Sequence, residues 1–385
     1  MDLSLNEAQQ LLKSGVEDFI AREAPLPVVV GLQQTARGYS ESIWRTAAEV
    51  GWLGMLTPEA YGGSGSSFMD AAVVFEALGG GAIPGPLFSS GVLAPLIIQE
   101  AGTAAQREQY LPRLARGEAV CALALTEPDW GWGPDNVQMR AEASGQGGYR
   151  FNGTKLFVYD AHAADYLIVV ARRPDDGGIL LLMVSTSTPG VEVRRLEGFL
   201  TAECEVRFTN VDVPADAVLG ESGADGAAIR AALERALLRA TPILCAYKVG
   251  GAQTAFRLSV EYSRRRRQFG QPIGRFQHVQ NHIVQLVNHL DAARWTTNEA
   301  LWKLDEGKPG FEVSAHLAKV CASEGYVQAV NYAHEVHAGV GVMHEYGLTL
   351  FTRLSRSLYC ALGDPKWHRR RLAELLPAHQ LVEVS

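Results

Sequence analysis

Tyr262-Ser-Arg-Arg-Arg-Arg-Gln-Phe-Gly-Gln-Pro-Ile-Gly-Arg-Phe-Gln277 stands between long stretches of helical periodicity. Upstream, 227–265 reads as one long helix in which Pro242 makes a kink or marks the early part. Downstream, 276–306 and 313–338 read as two further helices, and 348–376 is mostly helical. Long helices joined by short connections favour a bundle. Four consecutive arginines on a helix point in four directions, so Arg264–Arg267 do not share one ligand. A solvated helix face or a nucleic-acid patch is the plainer reading of the quartet. The formal charge of -7 gives the chain no overall basic excess for nucleic acid.

N-terminal to this region the texture changes twice. Between about 119 and 219, short apolar or alternating runs are separated by turn residues. Strands are expected at 119–125, 150–152, 155–158, 166–171, 178–184, 191–195 and 204–211, with turns at 145–148 and 173–178. So many short strands predict a small antiparallel barrel or sandwich. Before residue 117 the pattern is helical. Leu11, Leu12, Val16 and Phe19 share one side of a helix, Ser40 is placed to cap 40–50, and 70–78 and 104–114 are two more helices. The expected domains are therefore 1–117 (helical), 118–222 (β) and 223–385 (helical bundle), an α+β architecture.

The bulk properties agree. A chain of 385 residues suggests two or three domains, and 47% hydrophobic with 20% charged residues suits a packed globular protein. No apolar run is long enough for a membrane span, and Met1–Leu12 does not read as a signal peptide, so the cytoplasm is the expected compartment. The five cysteines are widely spaced and odd in number. They form no zinc pattern and read as buried free thiols.

Three other local sequences stand out: Leu125-Thr-Glu-Pro-Asp-Trp-Gly131, Asn152-Gly-Thr-Lys-Leu-Phe-Val-Tyr-Asp160, and Val336-His-Ala-Gly-Val-Gly341 followed by Glu345-Tyr346. Together with 262–277, Gly51-Trp-Leu-Gly54, Pro58-Glu59 and Gly62-Gly63, and in this order, they make the chain resemble the acyl-CoA dehydrogenase family over nearly its full length. The resemblance implies an N-terminal helical domain, a middle β domain and a C-terminal four-helix domain, with FAD held between the last two. It implies oxidation of an acyl-CoA thioester across the α and β carbons, with electron-transfer flavoprotein as acceptor. A carboxylate takes the α proton and the flavin takes a hydride.

Carried over residue by residue, the resemblance sets Arg266 against the FAD pyrophosphate, where a guanidinium fork suits phosphate oxygens. It sets Phe269 and Gln277 near the adenine end. Ala338, Gly339 and Gly341 lack bulk and allow close approach of a dinucleotide from a neighbouring subunit, which implies at least a dimer. Helix-end capping is the plainer account of Gly341. Leu125 and Thr126 would touch the flavin ring from a strand end, Phe157 would cover one flavin face, and Tyr159 falls where a hydroxyl residue near flavin N5 is usual. Core packing is the competing reading of Phe157.

The catalytic base departs from the family pattern. Aligned on Gly363 and His368-Arg369, the base position holds Leu362. The alternative position on the long helix, counted back from Phe269, holds Ala240. Tyr247 and Glu234 are the nearest candidates. An ordinary tyrosine pKa of about 10 suits base catalysis poorly, and Glu234 also reads as a solvated helix residue. The departure resembles a bacterial branch that includes steroid side-chain and dicarboxyl-CoA dehydrogenase subunits, several of them heterotetramers. Two principal readings follow: a dehydrogenase of a bulky or unusual acyl-CoA, or a non-catalytic homologous subunit of a heteromeric enzyme. Another reaction on the same fold is a third.

Overall fold

The computed structural model describes residues 4–128, 131–144, 148–198, 200–221, 223 and 225–376. Asp129 and Trp130 of the Leu125–Gly131 motif, most of the turn expected at 145–148, and Ser222 and Ala224 at the expected domain boundary lie outside the described residues. In chain order the helices α1 (Glu7–Glu23), α2 (Leu26–Leu32), α3 (Glu41–Glu49), α4 (Phe68–Gly80), α5 (Ala94–Ala101) and α6 (Ala104–Ala115) come first. Seven strands follow: β1 (Cys121–Ala124), β2 (Ala141–Ala143), β3 (Tyr149–Tyr159), β4 (Tyr166–Arg172), β5 (Ile179–Ser185), β6 (Val191–Arg195) and β7 (Glu203–Val213). The remainder is α7 (Gly226–Arg265), the short pair β8 (Arg267–Gln268) and β9 (Gln271–Pro272), then α8 (Gln277–Asp305), α9 (Phe311–His337), α10 (Leu348–Ser357) and α11 (Pro365–Leu375). The expected order of helices, strands and helices holds. By spatial contact the chain forms two compact units, one of 1–34, 68–83 and 241–385, the other of 35–67 and 84–240.

The unit of 35–67 and 84–240 carries two open sheets, ordered β1-β4-β5 and β2-β3-β7-β6. The expectation of a wholly antiparallel barrel or sandwich is corrected at one pair, because β1 runs parallel to β4. Burial of the neighbouring strands is compatible with a parallel pair but does not set its direction. Leu167–Ala171 and Ile179–Val184 are continuous apolar runs, buried throughout, as strands covered on both faces are. By contrast β7 alternates buried and exposed positions over much of its length, as a sheet with one solvated face does. The runs expected at 150–152 and 155–158 are one strand, β3. Its register against β7 shifts between Phe151 and Gly153 and again between Lys155 and Val158. The glycine between the two expected runs, Gly153, sits at a bulge. Ser40 caps α3 as expected, its hydroxyl accepting from Ile43 N.

In the other unit, α8 and α9 form an antiparallel hairpin closed at Gly310, whose φ of 79° suits glycine. Tyr326 of α9 lies fully buried over Gly251 of α7, where a Cβ would collide with the ring. Helices α4 and α7 cross at backbone contact, since a Cβ on Gly79 would strike the Tyr247 carbonyl and one on Gly250 the Glu76 carbonyl. The Asp305 carboxylate accepts from Phe68 N and Met69 N, both at 2.8 Å, and so starts α4. On α1 Val16 and Phe19 are buried and Leu12 is half-buried, whereas Leu11 is 67% exposed, so one of the four residues on the expected apolar side faces solvent. Cys121, Cys204 and Cys245 are buried, but Cys321 is half-buried and Cys360 exposed, correcting the uniform reading of the thiols. Among the described residues no helix is long and apolar enough to cross a membrane.

Candidate active site

At the end of β1 a buried lysine organises the edge that the motifs single out. Lys155 of β3 is fully buried. Its Nζ donates to the Leu125 carbonyl at 3.0 Å and pairs with Glu127 Oε1 at 2.7 Å. Glu127 in turn accepts from Gln138 N at 2.7 Å and Met139 N at 3.0 Å. Burial pushes the Lys155 ammonium down to about 8, against the pull of Glu127. Leu156 N donates to the Thr126 carbonyl at 2.8 Å, so the chain after β1 is tied to β3 on both sides of this strut. The bulge that follows turns Phe157 to a φ of 54° and leaves its ring 44% exposed. The core-packing reading of Phe157 is therefore set aside.

Two positions along, Tyr159 pairs in register with Glu203 of β7. The carboxyl of Glu203 accepts from the Thr201 hydroxyl at 3.0 Å. Glu203 is only 2% exposed, and burial outweighs the nearby Thr201 and Tyr159 hydroxyls and pushes its carboxyl up to about 7. Sequence reasoning missed Glu203 and Lys155. No period-two pattern marks either one, because Gly153 and Phe157 around Lys155, and Thr201 and Glu205 around Glu203, are not buried.

In the other unit, α7 ends at Arg265, so only Arg264 and Arg265 of the quartet are helical, which corrects the picture of four arginines around one helix. Arg266 leaves the helix, its N–H bonded to Tyr262 O and its carbonyl to Ile273 N, both at 2.8 Å. Phe269 and Gly270 then form the two-residue turn of the β8–β9 pair, at φ of 52° and 79°. That turn lifts Phe269 to 92% exposure with one ring edge on Phe276 at 6.0 Å. Gln277 opens α8 and is exposed.

His337 ties this hairpin to the second motif of the same unit. Its ring stacks on Tyr262 at 4.6 Å, Nδ1 bonds Ala333 O at 2.7 Å and Nε2 bonds the Tyr346 hydroxyl at 2.9 Å. Ala338 then takes φ of 48° to end α9. Gly339 faces open space. At Gly341 a Cβ would press on His334 and His337, so local packing accounts for that glycine.

The two candidate bases are committed elsewhere. The Tyr247 hydroxyl donates to Ile83 O at 3.0 Å. Glu234 pairs with Arg230 at 3.2 Å and is solvated. Ala240 and Leu362 are buried. The turn that carries Leu362 is held firmly. Leu362 and Gly363 have φ of 56° and 96°. His368 Nε2 bonds Leu362 O at 2.9 Å, and Lys319 Nζ donates to Gly363 O at 2.7 Å. Lys319 and the buried Lys248 also share Ser323 Oγ, at 3.0 and 2.7 Å. Burial lowers both ammonium pKa values. Asp364, the nearest acid in sequence, is engaged as the cap of α11 through Trp367 N at 2.7 Å. Among the described residues no cluster of three or more His, Cys, Asp or Glu is arranged for a metal ion.

Comparison with known proteins agrees with this geometry. The acyl-CoA dehydrogenase N-terminal, middle and C-terminal domain models match residues 6–118, 122–211 and 229–376. A probable acyl-CoA dehydrogenase, YngJ, of Bacillus subtilis (strain 168) is 30% identical over 98% of this chain and 100% of its own length. The structure of butyryl-CoA dehydrogenase from Megasphaera elsdenii superposes with a TM-score of 0.88 at 28% identity, covering 98% of this chain and 100% of that one. A structure titled PigA with FAD and proline gives 0.88 at 27% identity, covering 98% and 99%. With helical, sheet and helical regions in the order those domain models require, the chain belongs to the acyl-CoA dehydrogenase family.

Proposed function

We propose that the chain is an FAD-binding subunit of an enzyme that desaturates an acyl-CoA thioester between its α and β carbons. The observation that carries this reading is Phe157, an aromatic ring turned outward by a strand bulge beside the fixed Leu125–Thr126 edge. A planar ring kept half-exposed at the cost of a positive φ suits a planar cofactor better than a core. FAD, when bound, supplies a hydride acceptor. Leu125, Thr126, Phe157 and Tyr159 would meet its ring end. The exposed Arg266 would supply a fork for a pyrophosphate, with Phe269 and Gln277 toward an adenine. The open face of Gly339 beside the positive-φ Ala338 also fits close approach of a dinucleotide. Purified protein should show bound-flavin absorbance or take up added FAD. A colourless protein that takes up none sinks the reading.

A second reading is favoured by Leu362 and Ala240. Both are buried alkyl groups where the resemblance puts a base, so this chain acts beside a homologous subunit that carries the carboxylate. Exposed Phe269, Val342 and Met343 give an apolar surface for a second subunit to cover, in a homo- or heterotetramer. Electron-transfer flavoprotein is the acceptor to try first, and a bulky acyl-CoA the substrate. The isolated chain is expected to bind FAD and show little turnover. Leu362→Glu, which puts a carboxylate on the same turn, is expected to gain turnover. Robust dehydrogenation by the unaltered chain alone removes this second reading.

A further inference from the structure

We propose that Glu203 meets the bound flavin as an uncharged carboxylic acid and donates to the ring through a proton on Oε2. The inference rests on the FAD-binding reading above, which sets Tyr159 at the ring end of the cofactor. Tyr159 of β3 and Glu203 of β7 are directly opposed in an antiparallel register, so both side chains leave the sheet on one face. Oε1 of Glu203 accepts from the Thr201 hydroxyl at 3.0 Å. Oε2 is buried and has no hydrogen-bond partner among the described residues. Thr201 and Tyr159 are the neighbouring side chains that act on the carboxyl, and neither is a cation. The charged groups beside it on the same strands are committed elsewhere. Arg195 of β6, paired in register with Cys204, donates to Ala36 O at 2.9 Å. Asp160, next to Tyr159, accepts from Ser89 Oγ at 2.6 Å. Glu205, two residues along β7, pairs with Arg194 and Arg207 at 2.9 and 3.1 Å.

The donor inventory decides the state of the carboxyl. As a carboxylate it would be buried with one hydroxyl donor and no cation, which is costly. The acid form needs less. Oε1 keeps the Thr201 bond, and Oε2 carries an O–H that calls for an acceptor. Burial raises the carboxyl to about 7, which keeps the acid form populated at neutral pH. An oxidised flavin ring presents bare nitrogens and carbonyl oxygens along one edge, which is what that O–H lacks. The consequence is a proton linked to cofactor binding. When FAD binds the acid form, its dissociation constant is flat well below pH 7 and rises above it, by at most about tenfold between pH 6 and pH 8. A carboxylate accepting from a ring N–H would give a slope of the opposite sign.

The test is the affinity of the full-length chain for FAD at pH 6 and pH 8, by fluorescence titration. Wild type is expected to bind more weakly at pH 8. Glu203→Gln keeps a donor and an acceptor without a titrating proton, and is expected to bind equally at both. Glu203→Met loses the donor and is expected to bind about fivefold more weakly than Glu203→Gln, the worth of one ordinary hydrogen bond. Infrared difference spectra at pH 7 are expected to show a protonated-carboxyl C=O stretch that grows when FAD is added to wild type and is missing from Glu203→Gln. A wild-type affinity that is flat or rises with pH overturns the proposal, and needs no variant to fold. So does an equal pH dependence in wild type and Glu203→Gln, equal affinities of Glu203→Gln and Glu203→Met, or a stretch that does not grow. Absence of FAD uptake at either pH overturns the cofactor reading and this proposal together, whereas uptake without the pH slope overturns this proposal alone.

Discussion

Lys155→Met is the most informative single change at the strand edge. The side chains of Lys155 and Glu127 are 0% and 9% exposed, so methionine fills the same space without the charge. Three terms set the size of the effect. Leaving a buried acid without its partner costs about 3–5 kcal/mol in comparable sites. Here Glu127 keeps two backbone donors, Gln138 N and Met139 N, which hold the loss toward the lower end. The Leu125 carbonyl loses its donor, about 1 kcal/mol or more. Against these, no ammonium need be desolvated any longer. A net loss of roughly 3 kcal/mol is expected, about a hundredfold in the local opening equilibrium. Hydrogen exchange at the Leu156 amide, bonded to Thr126 O, reads that opening directly. Adding Glu127→Gln to Lys155→Met should recover 1 kcal/mol or more, because an amide tolerates burial better than a carboxylate. If Lys155→Met costs less than 1 kcal/mol, or if the double variant is no better than the single, the strut does not hold this edge.

Three further outcomes follow from particular contacts. Gly250→Ala should destabilise the unit containing α4 and α7 by at least about 2 kcal/mol in urea unfolding, because the new Cβ meets the Glu76 carbonyl and backbone cannot yield as a side chain does. Phe269→Ala should leave that unfolding curve within about 0.5 kcal/mol, since the ring is almost fully solvated, while weakening FAD retention or subunit assembly in gel filtration. Glu203 should give a pH dependence of stability. Its folded pKa of about 7 lies above the ordinary glutamate value, so the unfolded chain loses this proton first. The stability is present in full below about pH 4.3 and is lost as pH rises through about 7, at most roughly 4 kcal/mol in all. The difference between wild type and Glu203→Gln in urea midpoint at pH 5 and pH 8 isolates that contribution, and equal differences at the two pH values would refute it.

The fold was legible where periodicity and turn chemistry agree. Helix α8 was expected over 276–306 and runs from Gln277 to Asp305, because a long amphipathic repeat leaves little choice. Local rules misled at two places for one reason, that a glycine or a run of arginines has no unique local meaning. Separate strands were expected at 150–152 and 155–158, but pairing with β7 carries one strand through and absorbs Gly153 as a bulge. The arginine quartet suggested a helix face, but the Phe269-Gly270 turn takes the chain out of the helix after Arg265. The parallel pairing of β1 with β4 depends on residues 45 positions apart, Cys121 against Tyr166, and no local pattern encodes it.

The same limit separates the two kinds of candidate site residue. Arg266, Phe269, Ala338 and Gly339 project from turns, and turn chemistry is local, so their accessibility could be anticipated from sequence. Lys155, Glu203, Lys248 and Lys319 act through buried partners that only tertiary structure brings together. Burying a charged group is costly unless a partner or a neutral state offsets it, so each of these four reports a constraint stronger than surface composition imposes. Lys155 answers to Glu127, and Glu203 to Thr201. Lys248 and Lys319 answer to a serine and to backbone carbonyls of the turn around Leu362. A turn braced from behind by a buried lysine and a buried histidine presents leucine where the resemblance puts a base. On the proposed reading, that turn supports an acyl chain or a neighbouring subunit, and a carboxylate from elsewhere takes the α proton.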